Sequence, residues 1–88
     1  MINQRWKNAN VSGLLENIAQ WHKDRNLVEG VNNSDQFLKL IEEVGELAGN
    51  LARGRDIRDD VGDIIVVLVN ICERENITIS ECLAKAWS

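Results

Sequence analysis

Between Ile57 and Glu75 the chain is apolar on nearly every helical face, and this stretch restricts the fold more than any other. Val61, Ile64, Ile65, Leu68, Ile71 and Cys72 fall on one helical stripe, while Val66, Val67 and Val69 occupy the remaining faces. By periodicity alone the β-branched run Ile64–Val67 fits a buried strand equally well. The full pattern is longer than an ordinary strand, and no flanking segment offers a strand to pair with it, so a helix is the better reading. A helix that is apolar all round must be covered all round. With 88 residues there is one domain's worth of chain and few other helices to do the covering. A second subunit is therefore expected, as a homodimer or a tetramer.

The flanking segments read as three more helices, and the absence of proline agrees with an all-α chain. From about Ser12, the residues Leu14, Leu15, Ile18, Ala19, Trp21 and His22 keep the spacing of one helical face, and the helix should end near Asn26. The next helix has Asn33 or Ser34 as its cap, with Gln36 three residues after Asn33. Its stripe is Phe37, Leu40, Ile41, Val44, Leu47, Ala48 and Leu51. Gly54 is placed to end it in a left-handed conformation. Asp56 is the expected cap of the apolar helix, with Asp59 in the first turn, where the helix dipole favours acids. Thr78-Ile79-Ser80-Glu81 is a capping box that opens a short last helix. Residues 1–11 carry no clear period, and Trp6 is free to pack on the first helix or on a partner. Four helices in a bundle-like protomer, residues 1–88 as a single domain, is the fold expected.

Acidic residues cluster on the middle two helices. Glu42, Glu43 and Glu46 lie in one run, and Asp59, Asp60 and Asp63 in another. Glu43 and Glu46, like Asp60 and Asp63, are three apart and so neighbours on a helix, where unpaired like charges cost about 0.2–0.5 kcal/mol. A solvated face is one explanation. Asp63 fits it badly, since it stands two turns into an otherwise apolar helix with no suitably placed Lys or Arg on that helix. A cation shared between the two helices is the other explanation.

The ligand types narrow that cation. His22 is the single histidine, and Cys72 and Cys82 fall on apolar helical positions and read as buried thiols, so zinc is disfavoured. Carboxylates alone suit Mg²⁺, with Mn²⁺ as a substitute. The net charge of −4 argues against nucleic acid as a partner. The longest apolar run, Ile64–Val69, is too short to span a membrane. The amino terminus is too polar for a signal peptide, so a cytoplasmic protein is expected. No Walker loop or nucleophile elbow is present.

Lys39-Leu-Ile-Glu-Glu-Val-Gly-Glu-Leu-Ala, followed by Asp60-Val-Gly-Asp-Ile-Ile, resembles the MazG-like nucleoside triphosphate pyrophosphohydrolases of the all-α NTP pyrophosphatase superfamily. The resemblance covers about residues 12–87. It implies Mg²⁺-dependent hydrolysis of a nucleoside or deoxynucleoside triphosphate to the monophosphate and pyrophosphate, in a dimer or tetramer. It further implies Glu43, Glu46, Asp60 and Asp63 as metal ligands, Glu42 as the group that positions or deprotonates water, and Lys39 as a phosphate contact. Trp21 lies near a base-stacking position in such proteins, although a core role suits its place on the first helix. Two features depart from the family. Asp60 stands where Glu is usual, and the chain stops at Trp87-Ser88, short of the polar and basic segment that many relatives carry. Both favour the alternative of a catalytically silent helical oligomerisation or regulatory module. A third reading is action on another phosphate substrate, such as a nucleotide alarmone.

Overall fold

The computed structural model describes residues 9–88, so Trp6 lies outside the described part. Four helices follow in order: α1 (Val11–Asp24), α2 (Asn33–Ala52), α3 (Arg58–Arg74) and α4 (Ile79–Trp87). No strand occurs among the described residues, and Ile64–Val67 is helical. The protein is all-α.

Each of the other helices packs against α3, with α2 its main neighbour. The α2–α3 pair is antiparallel, as polar contacts at both ends show. Asn50 near the end of α2 meets Asp60 at the start of α3. At the opposite end, Asn33 accepts from Arg74 Nε and donates to Glu75 Oε1, both at 2.8 Å.

Helix ends follow from local chemistry. Asn10 accepts from Gly13 N at 3.1 Å to open α1. The cap of α2 is Asn32, one residue earlier than expected, accepting from Asp35 N at 2.9 Å. Asn33 does not serve because its amide is committed to Arg74 and Glu75. At α3 the cap position is Ile57, without a side-chain cap. Asp56 instead accepts from Arg58 N at 3.0 Å, and that bond holds its carboxyl below the usual range. Thr78 and Glu81 form the capping box of α4: Glu81 N donates to Thr78 Oγ1 at 3.0 Å, and the hydroxyl donates to Glu81 Oε1 at 3.2 Å.

Three helices stop in the same way. Asn26, Gly54 and Asn76 take left-handed backbone angles, with φ of 55°, 66° and 58°. The next amide then reaches back six-to-one: Leu27 N to His22 O, Arg55 N to Asn50 O and Ile77 N to Cys72 O. Glycine and asparagine are the residues that tolerate this conformation most readily.

The interior is small. Val67, Val69 and Cys72 are the buried apolar side chains among the described residues, and four polar ones, His22, Glu43, Asp60 and Asn70, are buried with them. His22 lies against α3, with Nε2 3.0 Å from the Val66 carbonyl and Nδ1 3.2 Å from Asn70 Nδ2. If the Asn70 amide donates to Nδ1, then Nε2 carries the proton and donates to Val66 O. Asn70 also donates to Leu27 O at 2.8 Å, and its Oδ1 accepts from Arg74. Arg74 in turn donates to Leu27 O and Val28 O. This chain of bonds ties the α1–α2 connection to α3 and satisfies the buried groups.

The apolar stripe read along α2 divides in two. Leu40 and Leu47 are half-buried on the side of Glu43, which faces α3, whereas Phe37 and Ile41 are 56% and 54% exposed, with Val44 and Leu51 similarly open. On α3, Val61 and Ile65 are also exposed. The division follows from helix geometry. The Glu43 side lies about 100° or more from the centre of the apolar stripe, so docking that side on α3 turns the stripe outward.

Candidate functional site

Glu43 is the centre of the acidic arrangement. It is 6% exposed, and α2 aims it at α3 from the same helical side as Leu40, Leu47 and Asn50. Lys39 Nζ stands 3.3 Å from Glu43 Oε1 and 3.8 Å from Glu42 Oε2. The second oxygen, Oε2, is buried without a hydrogen-bond partner. A buried carboxylate oxygen left in that state is costly, and something outside the protein's own groups is the natural complement.

The other three predicted ligands interact with Glu43 or lie beside it. The Glu46 carboxyl is raised above its usual value, first by the charge of Glu43, then by partial loss of water and the charge of Asp60. The Asp63 carboxyl is raised by desolvation, then by the charges of Glu43, Asp59 and Asp60. Asp60 is buried where α2 ends and α3 begins. Lys39 opposes both shifts and is itself raised, chiefly by its hydrogen bond to Glu43. Glu43, Glu46, Asp60 and Asp63 therefore share one local field of negative charge between two helices.

Glu42 stays on the water side, with its side chain 69% exposed. Among the described residues no three acidic, histidine or cysteine side chains are already drawn together as a metal-binding set. Glu46 and Asp63 are exposed enough to rotate.

Asn50 was not singled out from the sequence. Its Nδ2 donates to both oxygens of Asp60, at 3.1 and 3.0 Å, and so orients that carboxylate. A signal existed: Asn50 is seven residues after Glu43 and four after Glu46, which returns it to their side of the helix.

Trp21 is not in the core. It is 44% exposed, and Arg25 lies over its ring with the guanidinium carbon 4.2 Å from the centroid. With Leu14, Asn17, Ile18 and Val66 it lines an open apolar groove of about 350 Å³. Val66, in the wall of this groove, is one turn beyond Asp63 on α3. Cys82 departs from its reading as a buried thiol: it is exposed, while Cys72 is buried.

A 71-residue stretch, 78% of this chain, is 42% identical to an uncharacterized 18.2 kDa protein of the rep–hol intergenic region of Haemophilus phage HP1 (strain HP1c1). The match spans 44% of that phage protein, less than half its length. No protein-family profile matches the chain, and no solved structure matches it. Among the described residues, no helix is long and apolar enough to cross a membrane.

Proposed function

We propose that this protein is a Mg²⁺-dependent nucleoside triphosphate pyrophosphohydrolase of the MazG-like type, working as a homodimer or tetramer. The observation that carries the reading is the buried, unpartnered Oε2 of Glu43, set among Glu46, Asp60 and Asp63. Glu46 and Asp63, both raised by neighbouring charge and loss of water, stand with Glu43 and Asp60 in a poor arrangement for a bare protein and a suitable one for a hard divalent ion. Bound there, Mg²⁺ supplies charge neutralisation for the triphosphate and Lewis-acid polarisation at the α-phosphorus.

The chain's own groups do the rest. Glu43, Glu46, Asp60 and Asp63 would hold the ion, and Asn50, which donates to both Asp60 oxygens, fixes that carboxylate. Glu42, exposed at the rim, accepts a proton from the attacking water. Water adds to the α-phosphorus, the bond to the bridging oxygen breaks, and pyrophosphate leaves beside the nucleoside monophosphate. Lys39 exchanges its contacts with Glu42 and Glu43 for a phosphate oxygen. The nucleobase lies in the neighbouring groove against Trp21.

The homo-oligomer forms over the outward face of α2, where Phe37, Ile41, Val44 and Leu51 make a row. Gly45 borders that row, and a Cβ added there would meet nothing within 4 Å, which leaves room for a second backbone. With so few buried apolar side chains among the described residues, a chain of this size gains from burying more surface against a second copy.

A second reading, a silent helical module, draws on Asp60. Its side chain is one methylene shorter than Glu, and both oxygens already accept from Asn50. The deciding experiment is pyrophosphate release from a panel of NTPs and dNTPs with Mg²⁺, Mn²⁺ or EDTA, beside a thermal shift with Mg²⁺ alone. Metal-dependent turnover of any nucleotide supports the enzyme. A Mg²⁺-induced rise in melting temperature without turnover supports the silent module. The absence of both effects would overturn the metal site.

A further inference from the structure

α1 lies on α3 with a hollow on each flank, one beside Trp21 and the other bounded by α4. The second is a cavity of about 330 Å³, the liquid volume of about eleven waters. Leu15, Ala19, Val69 and Ile79 give it an apolar wall, and Glu16 and Glu73 also line it. Glu73 is paired with Lys23 Nζ at 3.3 Å. Glu16 is exposed and makes no ion pair among the described residues.

The stretch that leads into α1 has the composition to fill this cavity. Residues 1–8 carry one aromatic residue, Trp6, set between Arg5 and Lys7, and contain no acid, whereas the whole chain has a net charge of −4. Ser12, in the first turn of α1, is itself in the cavity wall. Asn10 before it is extended, with φ −79° and ψ 104°, so the helix does not run on backwards through it. From Trp6 to Asn10 the chain can span up to about 14 Å. Leu15 and Ala19 lie roughly 5 and 10 Å along the helix axis from Ser12, within that reach.

We propose that residues 1–8 fold back along α1 and seat Trp6 in the cavity between α1, α3 and α4, with Arg5 and Lys7 against Glu16 and Glu73. The inference does not depend on the nucleotide reading. The indole adds a large apolar surface to an interior that has few apolar groups among the described residues. Arg5 and Lys7 keep their charged heads in water at the acidic edge while the ring enters.

The test uses the full chain with Trp21→Phe and Trp87→Phe, which leaves Trp6 as the one indole. Its emission should lie to the blue of the urea-unfolded chain and resist acrylamide quenching. Ala19→Phe, which fills the cavity, should return both readings to the unfolded values while circular dichroism stays helical. Glu16→Lys, at an exposed position, should move both part of the way. In the otherwise wild-type chain, Trp6→Ala should lower the melting temperature by about 5 °C or more. Emission equal to that of the unfolded chain leaves Trp6 in water and overturns the proposal. So does blue emission that neither Ala19→Phe nor Glu16→Lys changes, which puts Trp6 elsewhere. Blue emission lost on dilution assigns the cavity to the segment of a second copy, and overturns it too.

Discussion

Lys39 and Glu43 form a half-completed pair: the ammonium stands 3.3 Å from one carboxylate oxygen, and the other oxygen is buried with no partner. A single lysine on the solvent side does not balance Glu43 together with Glu46, Asp60 and Asp63. The imbalance is the physical basis of the first two predictions.

Glu43→Gln keeps the shape of the side chain and removes the central charge. Without metal the variant should melt at or above the wild-type temperature, because repulsion is relieved. In millimolar Mg²⁺ the wild type should gain about 2 °C or more while the variant gains nothing. Pyrophosphate release should fall by about 100-fold or more. A Mg²⁺ response of equal size in both proteins would remove Glu43 from the ligand set.

The pH dependence has a definite sign. Glu46 and Asp63 bind protons more tightly folded than at their ordinary values of 4.5 and 3.8. Such groups contribute stability that is complete below the ordinary value and is lost as pH rises through the raised one. Metal-free protein should therefore become more stable as pH falls from neutral towards those ordinary values. Urea midpoints across that window check this, and Glu46→Gln should flatten the curve.

Asn50 donates to both oxygens of a buried carboxylate, so Asn50→Ala leaves Asp60 without that support. A loss of about 1–3 kcal/mol in urea unfolding is expected. Asn50→Asp should cost more at pH 7 than in mild acid, because it sets a second negative charge against Asp60. Equal losses for the two variants at every pH would mean that the amide does not orient Asp60.

Asn70 is fully buried and joins His22 to Arg74. Asn70→Ala should destabilise by about 2–3 kcal/mol while leaving the Mg²⁺ thermal shift in place. The combination separates a structural network from the acidic site.

The outward row on α2 leads to a prediction about assembly. If the proposed oligomer forms over this row, the wild type should scatter as a dimer or tetramer and Ile41→Glu as a monomer, since a charge at the centre of that interface is left unpaired. Glu16, on the exposed side of α1, provides a control position where Glu16→Lys should leave the mass unchanged.

Much of this organisation is legible in the chain itself. The four helices, the capping box at Thr78 and Glu81, the left-handed Gly54 and the acidic pairs three residues apart follow from spacing and from backbone preferences that act within a few residues. Cap choice was less legible. Asn32, Asn33 and Ser34 all suit an N-cap, and the choice fell to Asn32 because residues some forty positions away engage Asn33.

The residues alone determined which helices form and which carry the carboxylates, because helix propensity, capping and period are local properties. The tertiary structure decided which face of α2 meets α3. Docking through the Glu43 side buries one oxygen without a partner, brings Asn50 onto Asp60, and turns Phe37, Ile41 and Leu51 to the outside. The hydrophobic period reports that α2 has an apolar face, but not whether α3 or another surface covers it. That depends on how few helices one chain has with which to cover them all.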